Sequence, residues 1–360
     1  MNDFQRKIIQ WYNLNKRDLP WRQTLDPYRI WVSEIILQQT RVDQGLAYYE
    51  RFIARFPDVR QLAEADEQEV LSVWKGLGYY SRARNMHHTA RRIVQEYAGV
   101  FPGSYHQLLR LKGIGKYTAA AIASICSHEP VPVVDGNVVR VFSRIFGIEA
   151  MAGTTASFNK VWERSSALID RDDPGTYNQA VMEFGALCCK PANPGCGQCI
   201  FRNDCFAFGN QMVDRLPVKK KEISRRERWF TYLYVRVGGG KVLMQQRPQG
   251  DIWQNLWELP LIEADHLLGP AEVSAHPVVN QDRERPEIIV VNPKDYRHIL
   301  THQIIHARFY EISGYQTGEA FEAFEAGDYR VMEDPLVTGL PVSRLTDRYL
   351  HWRAGNMQGL

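Results

Sequence analysis

Several things are missing from this 360-residue chain. No apolar run approaches the roughly 20 residues that a membrane-crossing helix needs. The opening MNDFQRKIIQWYNL lacks the basic, apolar and small-residue order of a secretory signal. The expectation is a soluble cytoplasmic protein, nucleoid-associated if bacterial. There is no internal repeat and no low-complexity tract, which excludes a solenoid. No clear strand pattern occurs before residue 215. Cysteine is scarce and uneven: of six, five lie between Cys188 and Cys205. A disulfide framework would spread them more widely. In a cytosolic chain such crowding points to metal ligation.

What is present is ordinary globular composition, 44% hydrophobic and 24% charged, with length for two or three cores. The net charge of +3 is unevenly placed. Residues 1–217 carry +4, the bridge VKKKEISRRER at 218–228 another +4, and residues 229–360 carry −5. A basic front and bridge suit a polyanion, although a solvated linker would show the same charge. The front reads helical. DPYRIWVSEIILQQTRV opens with an N-cap, Asp26, and a proline, Pro27, in the first turn. DEQEVLSVWKGLGYYSRARNMHHTARRIVQEY reads as two helices joined at Gly76–Gly78. SYHQLLRLKGIGKYTAAAIASIC reads as helix, turn, helix. After residue 215, WFTYLYVRV and KVLMQQR read as two strands across GGG. IWQNLWELPLI and HILTHQIIHARFYEI read as further strands, and VSRLTDRYLHW as a closing helix. The fold class is therefore multidomain: an all-α front at 1–215, a basic linker at 216–228 and a small α+β module at 229–360.

Three features carry chemistry. VPVVDGNVVRV sets Asp135 inside a valine run, where an uncompensated carboxylate would lose several kcal/mol of solvation, roughly. It is either a helix cap or a group with a task. In LKGIGKYTAAAI, Gly113 and Gly115 permit a tight turn whose amides form a seat for phosphate. A plain helical hairpin has the same pattern. Cys189, Cys196, Cys199 and Cys205, spaced C-x6-C-x2-C-x5-C, can wrap a tetrahedral metal or a cubane cluster. Spacing alone leaves zinc and iron–sulfur open, and Cys188 competes as first ligand.

Together, the helical front, the Gly-Ile-Gly hairpin, VDGNVVRV and the cysteine loop resemble the endonuclease III superfamily of helix-hairpin-helix DNA glycosylases. RDLPWR, WVSEIILQQTRV and GLGYYSRARN are similar to segments of its adenine-excising branch. The resemblance implies a [4Fe-4S] cluster on the four cysteines and excision of adenine opposite 8-oxoguanine or guanine in duplex DNA, by a monomer. It implies that Glu34 protonates the adenine and that Asp135 stabilises the sugar cation, with Tyr117 and Asn137 in support. Arg17, Trp21, Leu37 and Glu183 match the adenine pocket. Gln39, Thr40, Leu77 and Tyr79 match wedge and opposite-base contacts. Bifunctional members carry a lysine where Tyr117 stands. Lys116, one residue earlier, is turned by about 100° on a helix, so a monofunctional enzyme is expected.

The rear module resembles a Nudix-like domain, with Thr301 and His302 in the loop that reads 8-oxoguanine. The glutamate-dense helix of a Nudix hydrolase is not found, so hydrolysis is not expected. A thymine or uracil mismatch glycosylase, a lyase and a damage binder without chemistry are the alternatives.

Overall fold

The computed structural model describes residues 1–219, 224–276, 279, 287–289, 295–315 and 329–357. Lys220, Lys221, Glu222 and Ile223 of the basic bridge lie outside the described residues. The chain forms two compact units, Met1–Ala65 with Asn85–Lys221, and Asp66–Arg84 with Glu222–Leu360. Asp66–Arg84 thus goes with the rear module, whereas the sequence boundaries put it in the front.

The helices in order are α1 (Asp3–Asn15), α2 (Pro27–Ile36), α3 (Val42–Arg55), α4 (Val59–Glu64), α5 (Glu67–Val73), α6 (Ser81–Tyr97) and α7 (Tyr105–Leu108). They continue with α8 (Lys116–Ser127), α9 (Gly136–Phe146), α10 (Thr155–Leu168), α11 (Pro174–Leu187) and α12 (Phe206–Gly209). Asp26 caps α2 by accepting the Tyr28 amide at 2.9 Å, with Pro27 in the first turn. One core of the front unit joins Ile8 and Tyr12 of α1, Val138, Val141 and Phe142 of α9, and Tyr177, Val181 and Phe184 of α11. Phe201 from the cysteine loop enters the same core, which fixes that loop beside α9 and α11.

Two glycines set how closely α11 approaches its neighbours. A Cβ at Gly175 would lie 2.9 Å from Ile125 Cα of α8, and one at Gly185 would lie 2.7 Å from Asn137 Cβ of α9. Real side chains do not fit in either place. The valine run before Asp135 is buried but forms neither helix nor strand. Its buried backbone needs partners. Asn178 of α11 supplies them, accepting from the Val133 amide at 3.0 Å and donating to the Val131 carbonyl at 2.9 Å.

The rear unit is a mixed sheet. β1 (Arg226–Val237) runs parallel to β7 (Gln303–Tyr315) and antiparallel to β2 (Lys241–Gln246) and β4 (Leu261–Ala264). β3 (Trp257–Glu258) and β8 (Tyr329–Glu333) pair with β2, while β5 (Glu287–Ile289) and β6 (Tyr296–Ile299) pair with β7. Both faces of β1 are covered, in the two-residue alternation of a strand. Phe230, Tyr232 and Tyr234 enter one core with Phe309 and Tyr349, and Leu233, Val235 and Val237 enter another with Val273 and Ile312. α13 (Pro270–Ala275), α14 (Asp334–Val337) and α15 (Arg344–Met357) complete the described elements. The α13 segment carries a single glutamate, Glu272, whose carboxylate is engaged by the Gly269 amide and His266.

Candidate active site

Glu34 sits near the end of α2, Tyr117 in the first turn of α8, and Asp135 at the N-cap of α9. All three, with Asn137, line one cavity of about 500 Å³ in the front unit. Arg17, Trp21, Leu37, Thr40 and Glu183 line it too. Gln39 does not; it is exposed, with a left-handed backbone at φ 59°.

Glu34 is 8% exposed. Burial raises its pKa to about 7; the Tyr117 hydroxyl, hydrogen-bonded to it, opposes the rise, and Asp135 adds to it. That hydroxyl also lies 3.6 Å from Met182 Sδ. Burial likewise raises Asp135, but donors aimed at its carboxylate oppose this. The Val138 amide donates to Oδ1 at 2.7 Å and Asn137 Nδ2 to Oδ2 at 2.7 Å. Asp135 is thus both a cap and a positioned acid. Lys116 points elsewhere, its ammonium 4.6 Å from the centre of the Phe158 ring.

The pocket wall is built on Glu183, 1% exposed. Burial works against its charge, yet Arg22 and Arg17 overcome it and hold its pKa at about 2. Arg17 donates at 2.9 and 2.6 Å and Arg22 at 2.8 and 2.7 Å. Trp21 packs edge-on against Tyr49 and also lines the cavity, so its packing role and its pocket role coincide.

Arg22, Asn178 and Arg140 were not singled out by sequence reasoning. Arg140 donates to the Cys189 carbonyl at 2.7 Å, to Asn137 Oδ1 at 2.8 Å and to the Gly185 carbonyl at 2.8 Å. A hydrogen-bonded chain therefore runs from the cysteine loop through Arg140 and Asn137 to Asp135. One signal was legible: VVRVFSRIF places two arginines four apart on an apolar helix, and buried arginines need fixed partners. The second, Arg144, donates to the Lys190 carbonyl at 2.7 Å and lies 3.5 Å from Cys189 Sγ.

The six cysteines are half-buried. Cys196 and Cys205 each interact electrostatically with Cys199 and Cys189, and the Phe201 amide donates to Cys199 Sγ at 3.4 Å. Among the described residues, however, no three His, Cys, Asp or Glu side chains are gathered as a ligand set. Cys188 shares a hydrogen bond with Cys199 instead. The donor chemistry, four thiols of one loop with amide and guanidinium donors facing sulfur, is of the type that an iron–sulfur cluster takes.

In the hairpin, Gly113 takes φ 80°, and a Cβ there would meet Asn85 Cβ at 2.7 Å. Gly115 is exposed and caps α8 without a side-chain hydrogen bond. Leu77, Tyr79, Thr301 and His302 all fall in the second unit. Leu77 is buried, Tyr79 is 48% exposed, and Thr301 and His302 are exposed. Tyr79 Oη and Thr301 Oγ1 are 3.3 Å apart.

Residues 32–166 match the HhH-GPD superfamily of base excision DNA repair proteins, and residues 231–352 match the NUDIX domain. The adenine DNA glycosylase of Buchnera aphidicola (Schizaphis graminum) is 31% identical, over 84% of this chain and 85% of its own. The Mus musculus adenine DNA glycosylase is 32% identical over 86% and 70%. The chain belongs to the adenine DNA glycosylase family. The human adenine DNA glycosylase is 41% identical over 57% of this chain and 39% of its own. Among solved structures, a thermostable thymine-DNA glycosylase is 29% identical with TM-score 0.52, covering 57% of this chain and 95% of its own. A trapped endonuclease III–DNA intermediate, 18% identical with TM-score 0.51 and the same 95% of its own length covered, shares the fold. The chain thus combines a helix-hairpin-helix glycosylase front with a Nudix-like mixed sheet. Among the described residues no helix is long and apolar enough to cross a membrane.

Proposed function

We propose that this chain is a monofunctional glycosylase that flips adenine out of duplex DNA, where it stands opposite 8-oxoguanine or guanine, and cleaves its glycosidic bond by acid catalysis. The observation that carries the reading is the pairing of Glu34 and Asp135 in one cavity, with Tyr117 where a lyase would hold lysine. A carboxyl poised near pH 7 is suited to protonate a leaving base. Asp135, held by two N–H donors, faces the positive charge that develops on the sugar. The Arg17–Glu183–Arg22 cluster and Trp21 would bound the extruded base, and the uncapped first turn of α8 would seat a backbone phosphate. Gln39, Thr40, Leu77 and Tyr79 would fill or read the opened duplex, with Thr301 and His302 on the opposite base.

Cys189, Cys196, Cys199 and Cys205 would hold a [4Fe-4S] cluster. When bound, the cluster cross-links the loop rather than supplying an electron to this hydrolysis. The loop in turn holds Arg140 through the Cys189 carbonyl. The enzyme would act as a monomer in the compartment that contains DNA.

The test is single-turnover excision on duplexes holding adenine opposite 8-oxoguanine, adenine opposite guanine, and thymine opposite guanine, each with and without later alkali. The expected result is strand breakage at adenine only, and only after alkali. Breakage without alkali, or preference for thymine, would overturn the reading.

A further inference from the structure

Tyr79 stands at the tip of the turn between α5 and α6 in a left-handed conformation, φ 50°, directly after Gly78 at φ 75°. A tyrosine rarely rests there unless its surroundings hold it. The contacts that hold it converge on one side chain. Arg82, in the first turn of α6, places its guanidinium 5.4 Å from the centre of the Tyr79 ring and 5.3 Å from that of Trp74. Its Nη2 donates to the Gly78 carbonyl at 3.2 Å, and the Trp74 indole N–H donates to the same carbonyl at 3.0 Å. Trp74 is 1% exposed, so one wall of this clamp is core. Removal from water lowers the Arg82 pKa to about 10.

We propose that Arg82 is a positioning residue for opposite-base discrimination: with its cation over both the Trp74 and Tyr79 rings and bonded to the Gly78 carbonyl, it presets the exposed Tyr79 ring to insert beside the base facing the excised adenine. This rests on the reading of Tyr79 as an opposite-base contact. The guanidinium does two things at once that an ammonium cannot. Its delocalised charge lies over two rings, and a fixed N–H reaches the turn carbonyl. Thr301 holds the far end of the same tyrosine by its hydroxyl. The ring is thereby tethered at the turn and at the phenol, leaving exposed ring surface for a base. Preorganisation of this kind favours the partner that gains most from a fixed ring, and an ill-fitting partner gains less.

The experiment compares the full chain with Arg82→Met, which keeps the length and apolar stem, Arg82→Lys, which keeps the charge, Tyr79→Ala, and the Arg82→Met/Tyr79→Ala double variant. The first readout is the ratio of single-turnover adenine excision opposite 8-oxoguanine to that opposite guanine. The second needs binding alone: 2-aminopurine placed next to the opposite base, whose fluorescence rises when an inserted ring unstacks it. Arg82→Met and Arg82→Lys should each lower the ratio about tenfold and bring the fluorescence change near that of Tyr79→Ala. Arg82→Met should alter the ratio less than twofold once Tyr79 is already alanine. The proposal is overturned if either foldable Arg82 variant keeps the parental ratio and fluorescence, or if the double variant loses discrimination additively. A wild-type chain that releases adenine from neither duplex counts against the proposed function instead, and the fluorescence comparison still decides the role of Arg82.

Discussion

Glu34 and Asp135 are both acids beside one cavity, and their neighbours hold them differently. Glu34 is buried beside Asp135, and burial outweighs the opposing Tyr117 hydroxyl, so it keeps its proton to about pH 7. Excision should therefore fall as pH rises through 7, and Glu34→Gln should flatten that limb along with the rate, read by single-turnover kinetics from pH 5 to 9. Stability carries the same signature. Below pH 4.5 the carboxyl is protonated whether the chain is folded or not. Between 4.5 and about 7 the unfolded chain releases the proton first, so the native state loses roughly 3 kcal/mol across that window. Glu34→Gln should escape the loss and resist urea better than wild type at pH 8, an advantage that disappears at pH 4. Asp135→Asn should slow base release on the order of a thousandfold, because the loss falls on the transition state. Duplex affinity, measured by gel shift, should stay within about threefold. Both acids were legible because a charge in an apolar run is conspicuous. Arg22 and Asn178 were not, since their partners lie over a hundred and about fifty residues away in sequence.

Among the elements, the start of α2 was legible residue by residue, because a cap and a first-turn proline act locally. The IWQNLWELPLI segment was less so: it contributes only two residues to β3 and, beyond Pro260, starts β4. The valine run was legible as buried, but its lack of helix or strand pairing depends on Asn178 reaching it from α11. The approach of α11 to α9 is where a small change should matter most. Gly185→Ala would drive a methyl into Asn137. It should destabilise by about 1–3 kcal/mol and slow excision more than that loss explains, since Asn137 holds Asp135. Denaturant titration beside single-turnover kinetics separates the two effects. Asn178→Ala should likewise destabilise by roughly 1–3 kcal/mol, because it strands the Val131 and Val133 backbone groups.

At the scale of the molecule, the unequal charge of front, bridge and rear was visible in composition, whereas membership of Asp66–Arg84 in the second unit was not. Scattered polar contacts with no sequence pattern tie that stretch to the unit. Lys75 pairs with Asp347 at 2.9 Å, Tyr80 donates to the Val342 carbonyl at 3.0 Å, Asn255 donates to Glu67 at 2.7 Å, and Arg84 donates to the Gln254 carbonyl. A chain ended after residue 219 would strip every one of these partners from a stretch it still contains. Amides of 67–84 should then exchange hydrogen markedly faster than in the full chain, while α9 and α11 remain protected. The structural unit is accordingly not the uninterrupted front half. Loss of the C-terminal third would leave the GLGYYSRARN turn without anchors encoded 170 to 262 positions downstream, Gln254 for Arg84 and Val342 for Tyr80.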